Sequence, residues 1–326
     1  MSPSICRYQT VERLEFLKIG ALLVFILIAL FAAISSTAYR DTTETVTSFG
    51  AFPGEVDLAI LVGALAAAGA GGANNLVQSN WIRDKGFGMG RYAPRIVSPI
   101  TGEEEAMTSG QLYRFPGDEA NMSRWREWWR RANLEQFLTF GLIATVSITV
   151  FSLIAYSTVF GNPDLPDESG FDFISLEADA LDARVGDWFG TMFLAIGAVS
   201  LFAAALGIVD YVSRLVADVI RIGYAGDSKR WTESRIYFAV VWTMVSFGIL
   251  ILALGFDQPL VLVTISTVLG GAIMFVYSIL LVIINRRYLP EELKLRGFRL
   301  GMIGFTIVVL GACSAIVGVN QFGNLF

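Results

Sequence analysis

Three glycines and two asparagines stand close together in an otherwise apolar stretch, and they are the residues of this chain best suited to bind a cation. Gly71 lies between Gly69 and Gly72, and two adjacent amides follow after Ala73. Glycine costs about 1 kcal/mol relative to alanine inside a helix, so the cluster favours a break. At membrane depth an unwound backbone needs protein or a water-filled cavity around its polar groups. The oxygen ligands would come from Gly69, Gly72, Asn74 and Asn75.

A second set of polar residues is spaced as a charge ladder. Asp210, Arg214 and Asp218 follow one another at intervals of four residues, which places them on one face of a helix. A carboxylate inside a membrane often belongs to a proton or ion path, so Asp210 is the candidate for proton coupling. The simpler interpretation is a helix that leaves the membrane with its charges paired along its own face.

The elements that must position these residues are membrane-spanning helices. The chain has 326 residues, of which 54% are hydrophobic and 16% are charged, as is typical of a multi-pass membrane protein. Apolar stretches long enough to cross the bilayer occur seven times, which predicts an all-α membrane protein. The predicted spans are 17–38, 57–79, 136–160, 188–209, 236–255, 259–284 and 300–320.

The charges of the connecting segments predict the orientation. Basic and acidic connections alternate at every crossing, so the positive-inside rule places the N-terminus in the cytoplasm and the C-terminus outside an inner or plasma membrane. The predicted regions are a cytoplasmic leader (1–16), two spans that include a broken helix near 69–75 (17–79), a cytoplasmic loop (80–135), and five spans with an acidic external loop at 161–187 (136–326).

Loop 80–135 contains tryptophans at helical spacing. Trp125, Trp128 and Trp129 share one face of a predicted helix that Asp118 can cap, and four arginines line most of the rest. Indole rings favour the level of the lipid headgroups, and arginines there meet anionic lipid. We therefore predict an interfacial helix leading into the third span, with the lipid bilayer rather than nucleic acid as its partner.

The composition argues against several classes of site. The chain has no histidine and only two cysteines, which excludes a thiolate or imidazole zinc site and bis-histidine haem. All lysines lie outside the predicted spans, so a retinal Schiff base is excluded as well. No span combines an acid, a base and a nucleophile. We therefore predict no enzyme and no cofactor, with a divalent cation as transported substrate.

Several segments resemble the Nramp family of divalent-metal transporters. Residues 72–76 (Gly-Ala-Asn-Asn-Leu) with 78–79 (Gln-Ser) are similar to the Met-Pro-His-Asn-Leu motif of that family's sixth helix. Residues 255–259 resemble its tenth helix, and 284–293 resemble the Asn-Arg-Arg-x-Leu-Pro-x-Glu-Leu run that follows it. Residues 74–86 look especially like a divergent prokaryotic branch.

The resemblance extends over residues 15–320 and implies a function. The seven spans would correspond to helices five to eleven of an inverted-repeat (APC/Nramp-type) transporter, which imports Mn²⁺ or Fe²⁺ by symport with protons. The family's first-helix Asp-Pro-Gly-Asn motif is absent from this sequence. Gly72 stands at the position of the metal-binding methionine, Gly69 at that of the carbonyl donor, and Asn74 at that of the histidine. An all-oxygen site of this kind suits harder cations such as Mg²⁺ or Mn²⁺.

These observations predict transmembrane transport of a divalent metal cation of the Mn, Fe or Mg type. Half of an inverted-repeat fold cannot rock one repeat against the other. The chain would therefore pair with an N-terminal-half partner polypeptide, form a homo-oligomer, or be a truncated transporter remnant. The competing class is a non-transporting membrane scaffold or assembly subunit, in which the glycines serve only close helix packing.

Overall fold

The computed structural model describes residues 17–45, 58–68, 72–85, 116–160, 172–226, 228, 230–255 and 259–323. All regular elements in these ranges are helices, which confirms the predicted all-α class. Among the described residues, five helices are long and apolar enough to cross a membrane, or six if a bent pair near the N-terminus forms one span. The chain therefore has the helices of a multi-pass membrane protein. The inverted-repeat arrangement stays a prediction.

The helices are numbered in chain order. They are α1 (Leu17–Ala33), α2 (Ser36–Thr45), α3 (Leu58–Ala68), α4 (Gln78–Lys85), α5 (Glu119–Glu135), α6 (Ile143–Thr158), α7 (Asp172–Val185), α8 (Phe189–Ile220), α9 (Glu233–Ala253), α10 (Pro259–Tyr288) and α11 (Phe298–Gly323). A 3₁₀ segment, Gly72–Val77, precedes α4, and another, Glu291–Leu293, precedes α11. Short π-helical stretches end α1, join α5 to α6 and extend α8.

The chain separates into two compact units. Unit 1 comprises Met1–Pro53 and Arg124–Gly207, and unit 2 comprises Gly54–Ser123 and Ile208–Phe326. The aromatic ring of Phe25 lies at the centre of the unit 1 core, where it stacks on Phe189 at a centroid distance of 4.8 Å. The unit 2 core is smaller and consists of the buried residues Ala66, Met274, Tyr277 and Leu310.

The helix formed by α5 and α6 differs from a simple span because it is much longer than a bilayer requires. It runs without interruption for 40 residues, from Glu119 to Thr158. Asp118 caps it, as the sequence indicates, because its Oδ1 accepts a hydrogen bond from the backbone N–H of Asn121 at 2.8 Å. A hydrocarbon core of about 30 Å needs only about 20 helical residues. The Trp/Arg segment therefore continues without a break into an apolar stretch that is long enough to span a membrane by itself.

The predicted acidic loop 161–187 contains a further helix that the sequence analysis did not anticipate. Residues 172–185 form α7, which packs against the end of α1 and against α6. Apolar residues recur along α7 at helical spacing, and two of them, Ala178 and Leu181, are buried in unit 1. Gly186, with φ 133°, ends the helix in a conformation that residues with a side chain rarely adopt.

Candidate functional site

The predicted break in the second span lies where the helix type changes. The α-helical part ends at Ala68, and the chain continues from Gly72 to Val77 as a 3₁₀ helix before α4 begins. Gly69 and Gly71 lie outside the described residues. Within the described residues, the α-helical parts 58–68 and 78–85 are therefore separated by a 3₁₀ segment, and the predicted break near 69–75 stays a prediction.

The 3₁₀ segment presents its two amides differently. Asn75 Nδ2 donates a hydrogen bond of 2.9 Å to the hydroxyl oxygen of Tyr277 on α10, a residue that is only 8% exposed. Asn74 Oδ1 is enclosed and has no hydrogen-bond partner among the described residues. Buried polar atoms are paired in the great majority of cases, so an unpaired one needs a reason. Asn74 therefore offers an oxygen that is available to a ligand.

Small residues let the neighbouring helix approach closely. A Cβ atom added to Gly63 on α3 would lie 2.7 Å from the hydroxyl oxygen of Thr267 on α10. A Cβ atom on Gly311 of α11 would lie 2.7 Å from the ring of Phe275, also on α10. In unit 2, α3 and α11 therefore pack closely on α10 at these two glycines.

Asp210 is the centre of a polar joint between three helices. Its carboxylate accepts hydrogen bonds from Arg214 Nε on the same helix at 2.9 Å, from Tyr237 Oη on α9 at 2.7 Å, and from Trp81 Nε1 on α4 at 3.1 Å. The Arg214 guanidinium also lies over the Tyr237 ring, 5.7 Å from its centroid. The ion pair between Arg214 and Asp210 is the one expected from the simpler interpretation of the sequence, in which the helix pairs its charges along its own face. We call these four residues the Asp210 joint.

A second carboxylate of α8 fixes α4 as well. Asn80, which is 8% exposed, donates from Nδ2 to Asp218 Oδ2 at 2.8 Å. Adjacent residues of α4, Asn80 and Trp81, thus reach carboxylates that lie two helical turns apart on α8. The short helix after the break is anchored at both points. This anchoring makes Asp210 a positioning residue, and its role in proton coupling stays a prediction.

The sequence does not indicate Trp81, Tyr237 and Tyr277 as the hydrogen-bond partners of Asp210 and Asn75. Tyr237 and Tyr277 lie in or beside apolar spans where a lone tyrosine is ordinary, and Trp81 carries no periodic signal. The hydrogen-bonded pairs are 27 to 202 residues apart in the chain. No local spacing could therefore have indicated them.

Unit 1 contains the other interruption of a predicted span. The first span, predicted as 17–38, turns by 95° between α1 and α2. Arg184 of α7 closes this bend, because its guanidinium donates to the carbonyl oxygen of Ala33 at 2.8 Å and to that of Ser157. Both carbonyls lie in the last turns of their helices, where a cation is favourable. The backbone N–H of Ser35 donates to Ser157 Oγ at 3.1 Å.

Glu177 lies on the same helix, two turns before Arg184. It is 5% exposed, and burial raises the pKa of its carboxyl from the ordinary 4.5 to about 7. The sequence analysis grouped both residues with a solvated acidic loop. Apolar Ile174, Ala178, Leu181 and Val185, at spacings of four, three and four, were the signal that could have indicated a docked helix.

Carboxylates are not grouped as a metal centre in the part of the chain that the structure describes. No cluster of three or more His, Cys, Asp or Glu side chains there could hold a metal ion. The donors near the break are instead amide and carbonyl oxygens.

Comparisons with protein-family models, with curated proteins and with solved structures found no match. The function of the chain is therefore inferred from the geometry of the 3₁₀ segment and of the Asp210 joint, together with the sequence motifs.

Proposed function

We propose that this chain carries a cation across the membrane along the broken segment of unit 2. The observation that carries the proposal is the enclosed Asn74 Oδ1, which has no partner among the described residues. A buried polar group without a partner costs about 1 to 3 kcal/mol. Asn74 lies within a 3₁₀ segment inside a predicted span, and discontinuous helices of transporters bind ions at such places. A passing cation would supply the missing partner.

The chemistry of the donors selects the class of cation. Amide and carbonyl oxygens are hard ligands, which suit Mg²⁺ and Mn²⁺ better than softer metals. The resemblance of residues 72–76 to the Nramp sixth helix supports the same class. The proposed substrate is therefore a divalent cation of the Mn, Fe or Mg type, transported by this chain as one wall of a larger, split or homo-oligomeric path.

The test is uptake of radioactive Mn²⁺ into proteoliposomes that contain the purified chain, alone and together with a partner polypeptide carrying an Asp-Pro-Gly-Asn motif. Asn74→Leu should reduce uptake to the background of empty liposomes. Asn133→Leu, a matched change on the exposed face of α5, should leave uptake at the wild-type rate. Absence of uptake by the wild-type chain under both conditions would overturn the proposal.

A non-transporting scaffold is the second candidate function. The close packing at Gly63 and Gly311 and the saturated hydrogen bonding of the Asp210 joint both favour a rigid helix assembly. A scaffold would retain a bound partner during purification, and that complex would be unaffected by Asn74→Leu. Uptake that depends on Asn74 would instead favour transport.

A further inference from the structure

The tryptophan face of α5 takes no part in the proposed transport path. None of the seventeen residues of α5 is buried. Its three indoles nevertheless gather on one another, since Trp125 lies 5.3 Å from Trp128 and 5.5 Å from Trp129 between ring centroids. Trp128 is 37% exposed. A stacked aromatic surface that reaches solvent is characteristic of a binding face.

Arginines border this face on both sides. At about 100° per helical residue, the three indoles cover an arc of about 100°. Arg124 and Arg131 then lie beside one edge and Arg126 beside the other, whereas Arg130 lies toward the opposite side of the helix. The acidic Glu127 points away from the indoles and is paired with Arg131 at 2.6 Å. The face is therefore aromatic at its centre and positive at its borders.

The continuity of α5 with the spanning helix fixes its height. Tyr156 marks the far edge of the hydrocarbon core, because its hydroxyl donates to Asp41 at 2.8 Å and tyrosine favours the interface. About 20 residues, or 30 Å, separate it from Gln136 at the near edge. Arg130 and Arg131 then lie about 8 to 9 Å beyond that edge. Long arginine side chains at this distance reach the headgroup phosphates.

From this placement we infer that Arg130 and Arg131 bind the phosphate headgroups of anionic phospholipids. Guanidinium groups form paired hydrogen bonds to phosphate, and their long side chains can reach back to the headgroup layer. Clusters of basic residues directly beside a spanning helix attract anionic lipid. Arg124 lies about 18 Å beyond the edge, so it contributes less. This lipid site is independent of the cation path.

The experiment measures lipid selectivity in a bilayer. The full chain is reconstituted in phosphatidylcholine with phosphatidylglycerol, and electron spin resonance gives the fraction of spin-labelled lipid that the protein immobilises. Spin-labelled phosphatidylglycerol should be preferred over spin-labelled phosphatidylcholine. Arg130→Gln with Arg131→Gln should lower this preference, by up to about fivefold for each arginine, and Arg130→Lys with Arg131→Lys should largely retain it.

The matched control is Arg124→Gln with Arg126→Gln, which removes the same charge from the same helix farther from the bilayer. Its effect on selectivity should be clearly smaller. Equal effects of the two double variants would overturn the inference, because the preference would then follow net charge alone. It would also be overturned if the wild-type chain showed no lipid preference while α5 bound an oligonucleotide or a second copy of the chain.

Discussion

The two interruptions of predicted spans differ in how their freed polar groups are satisfied. In unit 1, the turn between α1 and α2 is closed by Arg184, whose guanidinium reaches the carbonyl oxygens of Ala33 and Ser157. In unit 2, the segment from Gly72 to Val77 has one amide bonded to Tyr277 and another, Asn74 Oδ1, without a partner among the described residues. The interruption in unit 1 therefore has a charged donor for its backbone carbonyls, whereas the 3₁₀ segment of unit 2 contains a side-chain oxygen without a partner among the described residues.

The reason for the difference lies in the neighbouring side chains. Unit 1 brings a cationic side chain to two helix C-termini, where the helix dipoles and the unpaired carbonyls both favour it. In unit 2, the amide of Asn75 is bonded to a neutral hydroxyl, that of Tyr277, and Arg214 is engaged with Asp210. The bend is thus a closed structural joint, whereas Asn74 Oδ1 of the 3₁₀ segment has no partner among the described residues.

The largest expected effect is the pH dependence of the closed bend. The folded-state pKa of Glu177, about 7, lies above its ordinary 4.5, so the folded protein holds this proton more tightly than the unfolded chain does. Its contribution to stability is therefore complete below about pH 4.5 and is lost as the pH rises through about 7. At 1.36 kcal/mol per pKa unit, the loss approaches about 3 kcal/mol. Hydrogen exchange of α7 should accelerate accordingly.

The matched variant for this prediction is Glu177→Gln, which keeps the size of the side chain and removes its titration. After correction for intrinsic exchange rates, the free energy of opening of α7 in this variant should change little between pH 5 and pH 8. In the wild type, the same free energy should fall over this range. An identical pH dependence in wild type and variant would show that another group is responsible.

A smaller effect is expected from removal of the guanidinium that closes the bend. Arg184→Gln leaves the carbonyl oxygens of Ala33 and Ser157 without their charged donor. A hydrogen bond to a charged group contributes about 1.5 to 3 kcal/mol when buried, but Arg184 is exposed, so the expected loss in the free energy of unfolding is only about 1.5 kcal/mol in total. Thermal unfolding in detergent measures it, with Arg131→Gln on α5 as an exposed control. Equal unfolding temperatures for the two variants would contradict the closed-bend description.

Much of the fold could be predicted from the sequence because membrane spans have a strong local signal. The apolar runs that form α6, α8, α9, α10 and α11 were predicted close to their observed positions. In contrast, α7 has only a half-apolar face and lies among acidic residues, so charge obscured its periodicity. The partners of Asp210 and Asn75 come from distant parts of the chain, and pairings of that kind have no local signature.

The smallest expected loss of stability belongs to the 3₁₀ segment, and it is the most discriminating result. Asn74→Leu removes an enclosed amide oxygen that has no partner among the described residues, so little hydrogen-bond energy is lost and the penalty of burying that oxygen disappears. The free energy of unfolding in detergent should therefore be at least that of the wild type, whereas Asn75→Leu, which removes the bond to Tyr277, should lower it by about 1 kcal/mol. Marked destabilisation by Asn74→Leu would mean that the amide is already satisfied in the folded chain, as Ala33 and Ser157 are in unit 1. The two interruptions would then be of the same kind, and the oxygen assigned to the cation would instead be a structural one.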